Sequence, residues 1–99
     1  MALADPAAPT VSVSSFHYVA PYPNRVAELC GKVVGAFTPQ HRVMIKVDPT
    51  TNGPGYYSAL PAPEGGFCAL LYTSSGKADV ALSTGVPGEA LRYSGYLLK

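Results

Sequence analysis

The sequence predicts an all-β protein, a small antiparallel β-sandwich. Three observations carry that expectation. About six to eight short apolar or alternating runs are separated by turn chemistry every ~8–12 residues, the rhythm of a sandwich or barrel. Two of the runs, "TVSVSS" and "RVMIKV", place their Val and Ile residues at every second position, the period of a half-buried strand. Ten Gly and ten Pro are spread along the 99 residues with no fixed repeat, which suits many tight turns within one domain. A hydrophobic fraction of 47% is enough for a core, while charged residues make up only 13%, about half the usual share.

Residues 1–9, ending "ADPAAP", read as an extended N-terminal arm before a single domain at 10–99. Pro6 and Pro9 bar a helix there and favour extended backbone. The arm has neither the basic region nor the apolar run of a signal peptide, although Ala2-Leu3-Ala4 resembles the end of a cleavage site. Val11 and Val13 alternate with hydroxyls in the first strand. "FHYVAPYP" is aromatic and ends at Pro21 and Pro23, which stop pairing.

"NRVAELCGKVVGAF" admits two readings. Val26, Leu29, Cys30, Val33 and Phe37 recur at helical spacing, Glu28 and Lys32 form a favourable i,i+4 pair, and Asn24 suits a cap. Against a helix stand Gly31 and Gly35, each costing about 1 kcal/mol in a helix interior. As a strand, the odd positions from Ala27 to Phe37 form one wholly apolar face, with Glu28 and Lys32 on the other. Strand is the preferred reading, and an α+β fold with a helix at about 25–35 is the alternative.

"HRVMIKV" sets Val43, Ile45 and Val47 on one face and Arg42, Met44, Lys46 and Asp48 on the other. "DPTTNGPG" is turn chemistry throughout. "YYSAL" is a short strand and "PAPEGG" a corner. "FCALLYT" is a strand, "SSGK" a turn and "ADVAL" another strand. "STGVPGE" is a loop, and "ALRYSGYLLK" carries the last strand.

"LCGKVVG", "RVMIKVD" and "GYYSALPAPEGGFCALLYTSSGKADVAL" resemble transthyretin-like, carboxypeptidase-regulatory-like β-sandwich domains over about residues 29–82. Gly31, Lys32, Val33, Val43, Ile45, Val47, Gly55, Tyr57, Leu60, Pro61, Gly65 and Gly66 carry the resemblance. It implies a prealbumin-like or Ig-like sandwich and supports strand over helix at 25–37. The segment between Val34 and Arg42 departs from that family in lacking its Gly-rich turn. The chain also lacks the Arg-Gly-Ser ending of the hydroxyisourate hydrolases, so the resemblance does not imply their activity.

The sequence supplies no catalytic signature, and the expectation is a protein that is not an enzyme and takes no cofactor. His17 and His41 stand apart from any Cys or carboxylate cluster at metal-ligand spacing. The six Asp and Glu residues are isolated from one another, and neither "PEGG" nor "SSGK" completes a phosphate loop. Net charge is +1 with Lys and Arg scattered singly, which argues against nucleic acid as a partner. The longest apolar run, Phe67–Tyr72, is far short of the ~20 residues of a membrane-spanning helix. Cys30 and Cys68 allow one disulfide or two buried thiols.

Phe67–Tyr72 is apolar at every position, whereas a central sandwich strand buries one face only. Its outer face is therefore expected to be covered, by a loop or by another molecule. Tyr56 and Tyr57, adjacent in a strand, must point to opposite faces. Seven tyrosines and few charges suit protein interfaces. The expected function is a structural or interaction module that self-assembles into a homo-oligomer, surface appendage or virion component. Its interface candidates are Cys68, Leu70, Tyr72, Tyr56, Tyr57, Ala7 and Ala8. The alternative is an exported accessory domain that binds carbohydrate or another small ligand through Tyr18, Tyr22, Tyr56 and Tyr96. An extracellular, periplasmic or virion location is favoured over the cytoplasm.

Overall fold

The computed structural model describes residues 9–47 and 55–98. Ala7, Ala8 and all of the expected arm except Pro9 lie outside the described residues. The regular elements are strands throughout: β1 (Thr10–Ala20), β2 (Val26–Val34), β3 (Arg42–Val47), β4 (Tyr56–Ala59), β5 (Gly66–Tyr72), β6 (Lys77–Ser83) and β7 (Ser94–Leu97). They form a three-stranded sheet in the order β1-β2-β5 and a four-stranded sheet in the order β4-β3-β6-β7, every pairing antiparallel. The two sheets pack face to face as a small β-sandwich.

Alternation decides which side chains meet between the sheets. Leu29 pairs with Phe16 on one side and Ala69 on the other, so that row faces inward, as does the row of Tyr18, Ala27 and Leu71. From the opposite sheet Val43, Ile45 and Val47 face inward, flanked by Leu82, Val80 and Ala78 of β6 and by Ala59 and Tyr57 of β4. Phe16, Ala27, Leu29, Val33, Val43, Ile45, Phe67, Leu71 and Val80 form the buried core.

β1 is one 11-residue strand, although its apolar residues change parity from Val11 and Val13 to Phe16 and Tyr18. The register shifts between Val13 and Ser15, where one extra residue, Ser14, turns the strand by one position. Both apolar pairs therefore reach the same inner face. The Ser14 hydroxyl bonds the Cys30 carbonyl across the strands.

The helix alternative at 25–35 is overturned, because β2 is the middle strand of its sheet and pairs along both edges. Gly31 suits this place for a packing reason. A Cβ there would run into the Ser12 carbonyl and lie 3.0 Å from Cζ of Phe67, whose ring fills the space over the glycine. Gly65 has a φ of 100°, a region L-residues avoid, and its carbonyl accepts from the Val33 N–H at 2.8 Å. The "PAPEGG" corner thus delivers β5 against β2 in register.

The expectation of a central strand at Phe67–Tyr72 is corrected. β5 is an edge strand, with β2 on one side only. Its burial does alternate: Phe67 and Leu71 are buried, while Cys68, Leu70 and Tyr72 are exposed. No described loop covers the outer face.

Adjacent leucines on β5 give a direct check of the layer assignment. Leu71 is 0% exposed and Leu70 60%. Leu71→Ala is expected to lower the unfolding free energy by about 2–5 kcal/mol. Leu70→Ala is expected to change the stability of the single subunit by no more than about 0.5 kcal/mol. Urea denaturation of both variants at a dilution that prevents association measures the difference.

Candidate functional site

Two outward surfaces hold Cys68, Leu70, Tyr72 and Tyr56 among the residues singled out by the sequence. The first is the outer face of β1-β2-β5. Its rows, read across the sheet, are Ala20, Val26 and Tyr72; His17, Glu28 and Leu70; and Ser15, Cys30 and Cys68. Cys30 and Cys68 are directly opposite one another, with Cα atoms 4.1 Å apart, and are joined as a disulfide. The bridge consumes the two cysteines on this face, and Leu70, Tyr72 and Val34 are among the exposed apolar side chains of this sheet.

Tyr57 behaves differently from its neighbour Tyr56. It points inward from β4, packs against the core, and its hydroxyl accepts the Tyr72 N–H at 2.9 Å. This bond ties the edge of one sheet to the edge of the other. A second tyrosine bonds the main chain nearby: the Tyr18 hydroxyl of β1 donates at 3.1 Å to the carbonyl of Thr73, just after β5 of the same sheet. Thr73 itself is buried, and its side chain accepts the Gly76 N–H.

The second surface is the outer face of the four-stranded sheet. Tyr56 pairs with Lys46, and Lys46 pairs with Asp79. The Lys46 ammonium lies 5.8 Å from the ring centres of both Tyr56 and Tyr93, so one cation bridges two exposed aromatic rings. Tyr93 was not singled out by the sequence, because it lies outside any strand, just before β7, and nothing in its local pattern marks it. Tyr22 is exposed in the corner after β1 with the Arg25 guanidinium 5.4 Å from its ring centre. The four tyrosines proposed as a carbohydrate platform are not brought together: Tyr18 and Tyr96 pack against the core, Tyr22 stands in the corner after β1, and Tyr56 lies on β4.

Among the described residues, Glu28, Cys30 and Cys68 are the one group of potential ligands close enough to hold a metal ion. Both sulfurs are already bonded to each other. His41 is held in its loop by the Thr38 N–H, which donates to Nδ1 at 2.9 Å.

Glu89 is not isolated. It gathers the loop after β6: the Ser83 hydroxyl donates to it at 2.6 Å, the Thr84 N–H at 2.7 Å, the Thr84 hydroxyl at 3.0 Å and the Gly85 N–H at 3.2 Å. The Ser83 hydroxyl is the largest influence on the carboxyl. With the Thr84 and Gly85 donors, it outweighs partial desolvation and holds the pKa below its ordinary value of 4.5.

Comparisons with family models, with curated proteins and with solved structures return no match. The fold and the site define the class: an all-β, two-sheet antiparallel sandwich with an inter-strand disulfide.

The disulfide closes a separation of 38 residues. By loop-closure entropy it is expected to contribute ~4 kcal/mol, and guanidinium denaturation of the Cys30→Ala/Cys68→Ala double variant should show a loss of that order. For Glu89, the folded pKa lies below the unfolded one. Its loop bonds are therefore intact at neutral pH and are lost as pH falls through that lowered value. In an acid titration followed by NMR, the Thr84 and Gly85 amide signals should move with a midpoint below 4.5, and Glu89→Gln should abolish that transition.

Proposed function

We propose that this protein is a non-enzymatic structural module that self-assembles, as a component of a surface appendage or a virion. The observation that carries the reading is the outer face of β5. Leu70 is 60% exposed and Tyr72 37% on a strand that displays no charge, in a chain whose net charge is only +1. A soluble surface normally breaks such a face with Lys or Glu and carries enough net charge to keep copies apart. The disulfide supports an oxidising destination, outside the cytoplasm.

The second reading, a ligand-binding accessory domain, draws support from a site other than the one first expected. Tyr56 and Tyr93 flank Lys46 on the far sheet, presenting aromatic faces that suit a sugar ring.

Sedimentation velocity across micromolar concentrations separates the readings. Self-assembly predicts a mass that rises above 10.3 kDa with concentration. A species that stays at one subunit throughout, together with glycan-array binding lost in Tyr56→Ala and Tyr93→Ala, would instead establish the second.

A further inference from the structure

The sandwich has four edge strands, and three of them are protected against pairing. β1 carries two register irregularities, between Val13 and Ser15 and between Tyr18 and Ala20. β4 and β7 are only four residues long, and β4 runs directly into Leu60 and Pro61. Bulges, short length and proline are the devices that keep edges from adding strands. β5 has none of them. It is seven residues long, pairs with β2 in unbroken register, and contains neither a charge nor a proline.

The free main-chain groups on this edge can be identified. Alternate residues of an antiparallel strand point N–H and C=O to the same side. The odd-numbered residues face β2: the Gly65 carbonyl accepts from Val33, and the Thr73 N–H donates to the Arg25 carbonyl. The short 4.1 Å Cα separation of Cys30 and Cys68 marks that pair as a non-hydrogen-bonded one, so Cys68 directs its groups away from β2. Tyr72 and Gly66 confirm the parity, since the Tyr72 N–H is taken by the Tyr57 hydroxyl and the Gly66 carbonyl by the Ala62 N–H. Cys68 and Leu70 remain. Among the described residues, nothing hydrogen-bonds their outward N–H and C=O groups.

We infer that β5 pairs antiparallel with β5 of a second copy of this chain, about a two-fold axis at Ala69, to join the two three-stranded sheets into one of six strands. This rests on the self-assembly reading and gives it a contact. The edge is complementary to itself. With the axis at Ala69, Leu70 of each copy exchanges both main-chain hydrogen bonds with the partner's Cys68, and these are the two residues left open. Ala69 meets the partner's Ala69 through small side chains. Leu70 lies beside the partner's disulfide, and because the Tyr57 hydroxyl and the Ala62 N–H already occupy the edge at Tyr72 and Gly66, the pairing is confined to Cys68–Leu70. An uncharged strand meets no like-charge repulsion from its copy. The other edges, being protected, do not extend the sheet further.

Leu70→Pro removes the outward N–H without disturbing the β2 ladder, and Leu70→Lys places a charge on the edge. Sedimentation equilibrium is read for both, with circular dichroism melts confirming that each folds. The Leu97→Lys variant, which alters an exposed leucine on β7, is the control. The expected result is a dimer for the native chain and the control. Leu70→Pro should weaken the dimer on the order of tenfold to a hundredfold, from the loss of one N–H donor per copy. Leu70→Lys should be monomeric at the same concentrations. If the native chain associates and both folded Leu70 variants associate equally well, the edge pairing is overturned while self-assembly stands. If the folded native chain stays monomeric at every concentration, both fall.

Discussion

The alignment of β2 with β5 is the constraint on which the rest of the structure depends. β2 is the one strand of the smaller sheet paired on both sides, so its register sets the inward residues of all three strands. Slipping it by one position would send Leu29 to solvent and Glu28 into the core. Three features hold the alignment together. The disulfide pins Cys30 opposite Cys68, the Phe67 ring fills the space above Gly31, and Gly65 delivers its carbonyl to Val33. Covalent, steric and hydrogen-bond restraints thus agree on a single register, and the same register fixes which main-chain groups of β5 face outward.

The sequence reveals the class and most of the strands for physical reasons that can be named. "RVMIKV" is legible because one face is buried and the other solvated, so composition alternates. "GFCALLY" misleads because its outer positions are apolar too, and a run without alternation does not distinguish a central strand from an unprotected edge. At β1 the apolar positions switch from odd to even, which looks like two short elements. A single bulge reconciles them, and a bulge leaves no clear mark in composition. At β2 the helical spacing of Val26, Leu29, Cys30 and Val33 is real but coincidental. Gly31 decides against a helix, and its necessity shows only once Ser12 and Phe67 are in place.

The candidate surfaces were partly legible. Leu70 and Tyr72 stand out because exposed apolar side chains beside buried ones break a pattern. The sequence offered Cys30 and Cys68 as a disulfide or as two thiols, and the structure shows the disulfide; the choice was not legible, since two cysteines 38 residues apart in sequence carry no sign of lying on neighbouring strands. The Tyr56–Lys46–Tyr93 arrangement was equally hidden, because its members come from β4, β3 and the approach to β7. Glu89 illustrates the same limit from the other side. A carboxylate that appears solitary along the chain serves as the hub of a loop once Ser83, Thr84 and Gly85 fold around it.

The disulfide also has a mechanical meaning. Its ring of chain contains β3 and β4 of one sheet together with the end of β2 and the start of β5 of the other. If the two layers were pulled apart by force on the two ends of the chain, the loop between the sulfurs would not pay out. About 130 Å of contour length would stay locked, at ~3.5 Å for each of the 38 residues of separation. Under tension the chain would therefore yield only through its outer segments, and would keep a covalently closed loop at its centre from which to recover.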